Sequence, residues 1–161
     1  AKGIGGSGLP IGAMMYHEQY DTWGPGGHVG TFRGNVPAFV GGTRAIEYIE
    51  SHNVLKHATK VGTYTRSRFR ELAEDIPEIV DIRGKGQFTG VEFEVNGRPS
   101  KSLVESIQRE CYHRGVLVWY AGRHKSVLRL LPPLVLTQRQ AEVGMDIITE
   151  SIRDVLTNHS K

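Results

Sequence analysis

The sequence predicts an α+β chain with a small sheet, antiparallel or mixed. Three observations point there. Residues 1–35 carry ten of the 20 glycines and read as loops with short strands. Beyond them, apolar residues recur at helical spacing in four separate stretches. Between those stretches lie short runs of β-branched and aromatic residues, one of which alternates strictly: Val91, Phe93 and Val95 against Glu92 and Glu94. The predicted order is helix, helix, two strands, helix, two strands, helix, with no internal repeat and no low-complexity linker.

Each element has a local cause. Asn35 can accept a hydrogen bond from the first turn of a helix, and Pro37 suits that turn because its missing N–H is not needed there. Phe39, Gly42, Ile46 and Ile49 then follow at helical spacing. A second helix is expected from about Asn53 to Ala73, with Leu55, Ala58, Val61, Thr65, Phe69 and Leu72 on one face. Pro77 ends that region. Residues 79–83 and 88–95 read as strands around a Gly84-Lys85-Gly86 turn. A third helix spans about 101–114, with Leu103, Val104, Ile107 and Cys111 inward and Gly115 placed to stop it. Residues 116–120 and 127–131 read as strands, the second halted by Pro132-Pro133. Thr137 and Gln140 have capping-box spacing and open a last helix with Ala141, Met145, Ile148, Ile152 and Val155 on its apolar face.

Bulk properties exclude several classes. The 161 residues suffice for a sizeable core, and 39% hydrophobic with 23% charged residues describes a globular chain. A net charge of +3 is too small and dispersed to argue for nucleic acid. The basic run Arg66, Arg68, Arg70 is followed by Glu71, Glu74 and Asp75, as on a solvated helix face. Cys111 is the only cysteine, so no internal disulfide forms, which fits a reducing, cytoplasmic setting. No apolar run reaches the roughly 18 residues of a membrane span.

Lys2 stands out. It precedes four glycines in six residues, and glycines let a backbone approach a ligand closely. A lysine buried there loses proton affinity and becomes a nucleophile suited to an imine. Gly3-Ile4-Gly5-Gly6-Ser7-Gly8 also spells the dinucleotide fingerprint G-x-G-x-x-G. That motif must open a helix and be followed by an acid about 20 residues on. Pro10 interrupts the helix, and Glu18 and Asp21 come too early, so nicotinamide binding is discounted. No Walker loop, H-E-x-x-H helix or zinc-ligand spacing is present, and no metal is expected. Arg129 stands inside the apolar run 127–131, where a guanidinium is costly unless it meets an anion.

Four segments in order carry a family likeness: Lys2-Gly3-Ile4-Gly5-Gly6 with Leu9-Pro10-Ile11-Gly12-Ala13; Gly30-Thr31-Phe32-Arg33-Gly34-Asn35 after Trp23-Gly24-Pro25-Gly26-Gly27-His28; Asp81-Ile82-Arg83-Gly84-Lys85-Gly86 with Gly90-Val91-Glu92; and Leu128-Arg129-Leu130-Leu131-Pro132-Pro133. Together they resemble the class III (omega) aminotransferases, enzymes dependent on pyridoxal 5'-phosphate (PLP), and among these the 4-aminobutyrate and diaminobutyrate aminotransferases. The resemblance implies the C-terminal portion of a fold type I PLP-dependent transferase: residues 1–50 ending the PLP-binding large domain, and residues 51–161 forming the small C-terminal domain.

It also implies roles. Lys2 would form the Schiff base with PLP and move a proton during amino transfer. Thr31 would bind the PLP phosphate of the neighbouring subunit, which implies a homodimer with a shared active site. Arg129 would bind a substrate carboxylate such as that of 2-oxoglutarate. The implied reaction moves an amino group from an omega-amino acid or amine, 4-aminobutyrate-like, to a 2-oxo acid. His28 is expected at the active-site mouth or as an exposed loop histidine. Arg33 departs from the small residue common in many relatives and is expected either on a substrate acid group or in an interface pair. Arg83 is expected to stabilise the fold; Trp23, Phe32, Trp119 and Tyr120 are expected in the core or an interface. Two alternatives stay open: a PLP-dependent amino-acid racemase, and a non-catalytic or dimerisation module. The chain opens on Ala1 and at once on the lysine motif, so it is expected to be a fragment, poor in PLP binding by itself.

Overall fold

A computed structural model describes residues 8–159 of the chain. It divides into two compact units between Val54 and Leu55.

The first unit is loops leading into one long helix. A short 3-10 helix, Glu18–Tyr20, is capped by His17, whose Nδ1 accepts from the Gln19 amide at 3.3 Å. Helix α1 spans Val36–Ser51. Asn35 caps it as expected, its Oδ1 accepting from the Ala38 amide at 3.3 Å. The buried stripe keeps Gly42 and Ile49 of the predicted one but not Phe39 and Ile46. Ala38 and Gly42 are buried and Ala45 and Ile49 half-buried, while Phe39 and Ile46 are exposed. The two sets lie about 100° apart round the helix. Spacing alone marks an apolar helix but not which side of it is covered. Val36, Phe39, Val40, Ile46 and Tyr48 therefore leave α1 apolar over much of its exposed surface.

The second unit is a four-stranded antiparallel sheet with a small hairpin extension and three helices. Helix α2 is Val54–Asp75. Strands β1 (Ile79–Lys85) and β2 (Phe88–Val95) form a hairpin. Strand β3 (Arg98–Pro99) folds back on the end of β2. Helix α3 (Lys101–His113) leads to β4 (Trp119–Ala121), β5 (Val127–Leu130) and helix α4 (Gln138–His159). The strand order is β1-β2-β5-β4, all neighbours antiparallel.

Strand β3 was not predicted. Asn96 and Gly97 have φ of 53° and 70°, the paired positive values of a two-residue hairpin turn. The Asn-Gly signal was present, but two residues of strand are too short to show a period. Conversely β4 begins only at Trp119, because Val116, Leu117 and Val118 take no part in the ladder.

One core fills the second unit. Val91 and Phe93 of β2 and Leu128 and Leu130 of β5 point to the same side, where Phe69 and Leu72 of α2, Leu103, Val104, Ile107 and Cys111 of α3 and Met145, Ile148 and Ile152 of α4 meet them. On α2 the predicted face holds except at its start: Leu55 is exposed and Val54 is buried in its place. Cys111 is buried, and loss of water raises its thiol pKa, so it is inert rather than reactive. Helix α4 opens on the predicted capping box: Thr137 Oγ1 accepts from the Gln140 amide at 3.2 Å, and Gln140 Oε1 accepts from the Thr137 amide at 2.9 Å.

Two contacts fix the ends of the sheet. Helix α2 touches the β1–β2 turn so closely that a Cβ on Gly62 would lie 1.6 Å from the Gly86 carbonyl oxygen. Arg66, one turn further, donates to that same oxygen at 2.7 Å. After β5, the chain is held by His57 Nε2 on the Leu136 carbonyl at 2.8 Å and by Gln87 Nε2 donating to the Leu134 carbonyl at 3.1 Å. Gly62→Ala is expected to cost about 2 kcal/mol or more, because both colliding groups belong to rigid elements. It should appear as a lower urea midpoint with an unchanged m-value.

Candidate active site

The open face of the sheet presents a row of residues from all four main strands. Register pairs Arg83 of β1 with Gly90 of β2, Gly90 with Arg129 of β5, and Arg129 with Trp119 of β4. Period-two alternation places them together: Leu128 and Leu130 enter the core, so Arg129 between them must face away. Gly90 puts no side chain between the two arginines. A Cβ there would approach Val127 Cγ1 at 3.1 Å and Arg83 Cγ at 3.9 Å.

The two guanidinium groups differ. Arg83 donates to Asp81 and, at 2.8 Å, to Glu92, and these bonds raise its pKa further, Asp81 foremost. Its charge is met within the sheet, in keeping with the stabilising role expected of it. Arg129 is half-buried and has no ion pair or side-chain hydrogen bond among the described residues. It borders a groove of about 630 Å³ with Tyr112, Leu117, Trp119 and Leu131. These side chains are largely exposed, Trp119 at 52% and Leu117 at 83%, so the groove is open and mostly apolar, and two guanidinium groups without an ion pair among the described residues, Arg109 and Arg129, line it. Trp119 stacks on Tyr120, ring centroids 5.2 Å apart.

The first unit holds the other expected positions. Lys2 and Gly3–Gly6 lie outside the described residues. Thr31 is exposed in a tight turn closed by the Arg33 amide donating to the Gly30 carbonyl at 3.0 Å. Gly34, with φ of 74°, then redirects the chain into the Asn35 cap of α1. Thr31, Arg33 and Asn35 border a groove of about 690 Å³. A second groove, of about 870 Å³, lies on the other side of Arg33. Tyr16, Trp23 and His28 line it as a chain of rings, with centroids 5.2 Å apart for Tyr16–Trp23 and 6.2 Å for Trp23–His28. Tyr16 donates to Asp21 at 3.2 Å; desolvation first and Asp21 second raise its phenol pKa, and Arg33 partly opposes them. The ring cluster turns Trp23 into a wall of this groove, while Phe32 is 87% exposed. Sequence reasoning does not pick out Tyr16, and it names Gly90 only as part of a family-like segment. A tyrosine in a glycine-rich loop has no period to betray its neighbours, whereas a lone glycine in an alternating strand is itself a signal of a deliberate gap.

A hydroxyl on an exposed turn beside a guanidinium is a donor set that fits a phosphate, so the Thr31 loop suits the phosphate end of PLP. Among the described residues no helix is long and apolar enough to cross a membrane.

The architecture recurs in solved enzymes. Ornithine delta-aminotransferase of Plasmodium falciparum superposes with a TM-score of 0.81 at 24% identity, over 96% of this chain and 39% of that one. Acetylornithine aminotransferase from Elizabethkingia anophelis gives 0.71 at 29% identity, over 83% and 32%. The fold is thus that of part of a fold type I PLP-dependent transferase. The class-III aminotransferase family model matches residues 1–152, and the chain belongs to that family. Among curated relatives, the diaminobutyrate–2-oxoglutarate transaminase of Oceanobacillus iheyensis is 35% identical over 157 residues, 97% of this chain and 36% of that protein. The diaminobutyrate–2-oxoglutarate aminotransferase of Rhizobium meliloti is 36% identical over 151 residues, 88% and 32%. The chain spans about a third of the length of these relatives.

The Thr31 turn depends on the helix cap that follows it. Asn35→Ala should destabilise the first turn of α1 by about 1 kcal/mol. The measurement is the thermal midpoint of the protein, with Asn35→Asp, which keeps the accepting oxygen, as the control that retains stability.

Proposed function

We propose that this chain serves a PLP-dependent aminotransferase that moves an amino group from an omega-amino substrate to a 2-oxo acid such as 2-oxoglutarate. One observation carries the reading: Arg129 is held on the open sheet face with no acid to neutralise it, while Arg83 across Gly90 is fully paired. A guanidinium kept free at the edge of an apolar groove suits a carboxylate from outside the fold. Curated relatives named diaminobutyrate–2-oxoglutarate transaminases support an omega-amino donor and that acceptor.

Each residue then has a task. Arg129 takes the substrate carboxylate through its planar fork, two parallel N–H donors against two oxygens. Trp119 and Leu131 reduce the water around that pair, which strengthens it. Thr31 donates its hydroxyl to the cofactor phosphate in a homodimer with shared active sites. PLP supplies the electron sink for breaking a bond at the carbon that bears the amine. Lys2 would hold the cofactor through its side-chain amine and, once released, would carry the proton between that carbon and the cofactor. A cytoplasmic setting agrees with a single, buried cysteine.

The reading is tested in the complete protein. The PLP-loaded enzyme should be yellow, and borohydride reduction should leave the cofactor mass on the peptide containing Lys2; an adduct on another lysine, or none, overturns the assignment. Arg129→Ala should raise KM for 2-oxoglutarate roughly 10- to 100-fold while changing KM for a carboxylate-free amine donor far less. Equal effects on both would remove its role.

A further inference from the structure

A crevice opens in the second unit where β4 and β5 part. The two strands pair as far as Trp119 and Arg129. Beyond that point Pro132 and Pro133 offer no N–H to a ladder, and residues 116–118 take no part in one. The gap, about 420 Å³, has residues 116–118 on one side and residues 130–133 on the other, with Ala141, Gly144 and Met145 of α4 beneath them. Leu117, Val118 and Leu131 also border the Arg129 groove, but Arg129 lines that groove alone.

We infer that this crevice is a binding site for a small, uncharged, largely apolar molecule that carries one hydrogen-bond donor, a hydroxyl or an N–H. Its ligand is separate from the substrates of the proposed amino transfer.

The lining sets that chemistry. The volume is that of a small-molecule site, and most of the wall is aliphatic. No Asp, Glu, Lys, Arg or His stands among the described residues that line it, so a charged ligand would find no counter-charge. Gly144 keeps space in the floor. An interior glycine weakens a helix, yet a Cβ here would meet nothing within 4 Å, so no close contact requires it.

Two buried polar residues, Thr65 and Gln87, complete the lining and make it selective. Gln87 is 3% exposed, and its Nε2 donates to the Leu134 carbonyl at 3.1 Å, which settles the way the amide faces. Its Oε1 is left without a hydrogen-bond partner among the described residues. Thr65 spends its hydroxyl proton on the Val61 carbonyl at 3.1 Å. What these two residues leave open is therefore acceptor capacity, and a buried acceptor without a donor is costly. A ligand hydroxyl or N–H supplies the donor while its apolar body covers the aliphatic wall.

The test uses the complete, PLP-loaded protein and two probes, 2-naphthol and 2-methoxynaphthalene, which share a ring system and differ in the donor. In titration calorimetry the wild type should bind 2-naphthol roughly 5- to 10-fold more tightly than the ether. Gln87→Leu should bring the two affinities within about twofold of each other. Gly144→Leu places a side chain in the crevice and suits the helix better than glycine; it should weaken 2-naphthol binding roughly 10-fold or more while the protein still melts cooperatively. Should Gln87→Leu fail to fold, Gly144→Leu decides alone. Absence of binding to the wild type, as when the rest of a longer polypeptide fills the crevice, overturns the inference. So do equal affinities of the wild type for the two probes, and undiminished binding by Gly144→Leu.

Discussion

The site rests on the pleat of β5. A strand sends successive side chains to opposite faces, so the run Val127-Leu128-Arg129-Leu130 can seal the core and hold a guanidinium out of it at once. Leu128 and Leu130 anchor the strand among α3 and α4. Their burial fixes the register, and the register fixes where Arg129 stands. A slip by one residue would bury the charge and expose both leucines, a change no other contact in the fold could offset.

The same register arranges electrostatics across the sheet. Arg83 and Arg129 share a face and a row, yet one is quenched and the other is not. The difference lies in their flanks. Asp81 sits two residues from Arg83 on its own strand, where Arg129 has Val127; Glu92 of β2 pairs with both Asp81 and Val127 but bonds Arg83, and on the other side of β5 the position paired with Val127 is Ala121. Gly90 separates the two groups. Free charge in this sheet is therefore local, and it opens on a groove whose walls are mostly apolar, with Gln108 and Arg109 of α3 among them.

The first unit uses a different device. There, charge and hydroxyl are set by turns and caps rather than by a ladder. The Gly30–Arg33 turn, the positive φ of Gly34 and the Asn35 cap form one continuous piece of backbone that delivers Thr31 and Arg33 and ends in α1. Much of the surface of α1 remains apolar and exposed. A helix with so wide an apolar surface is ordinarily covered on more than one side. The curated relatives are about three times as long as this chain.

How much of this was readable beforehand depends on the range of the interaction. Caps and alternation act over a few residues, so Asn35, the Thr137–Gln140 box, the α4 face and the strand at residues 88–95 were all legible. The likeness of ordered motifs pointed to the class-III aminotransferases, a membership confirmed by the family model. What escaped was set by partners distant in sequence. The covered side of α1, the exchange of Leu55 for Val54 and the late start of β4 depend on which neighbour arrives, not on local spacing. The pairing of Arg83 with Glu92, the freedom of Arg129 and the meeting of Tyr16 with Trp23 and His28 are likewise products of tertiary placement. A sequence can state that a charge is present at a given point of the chain; whether an opposite charge reaches it is decided only when the strands are laid side by side.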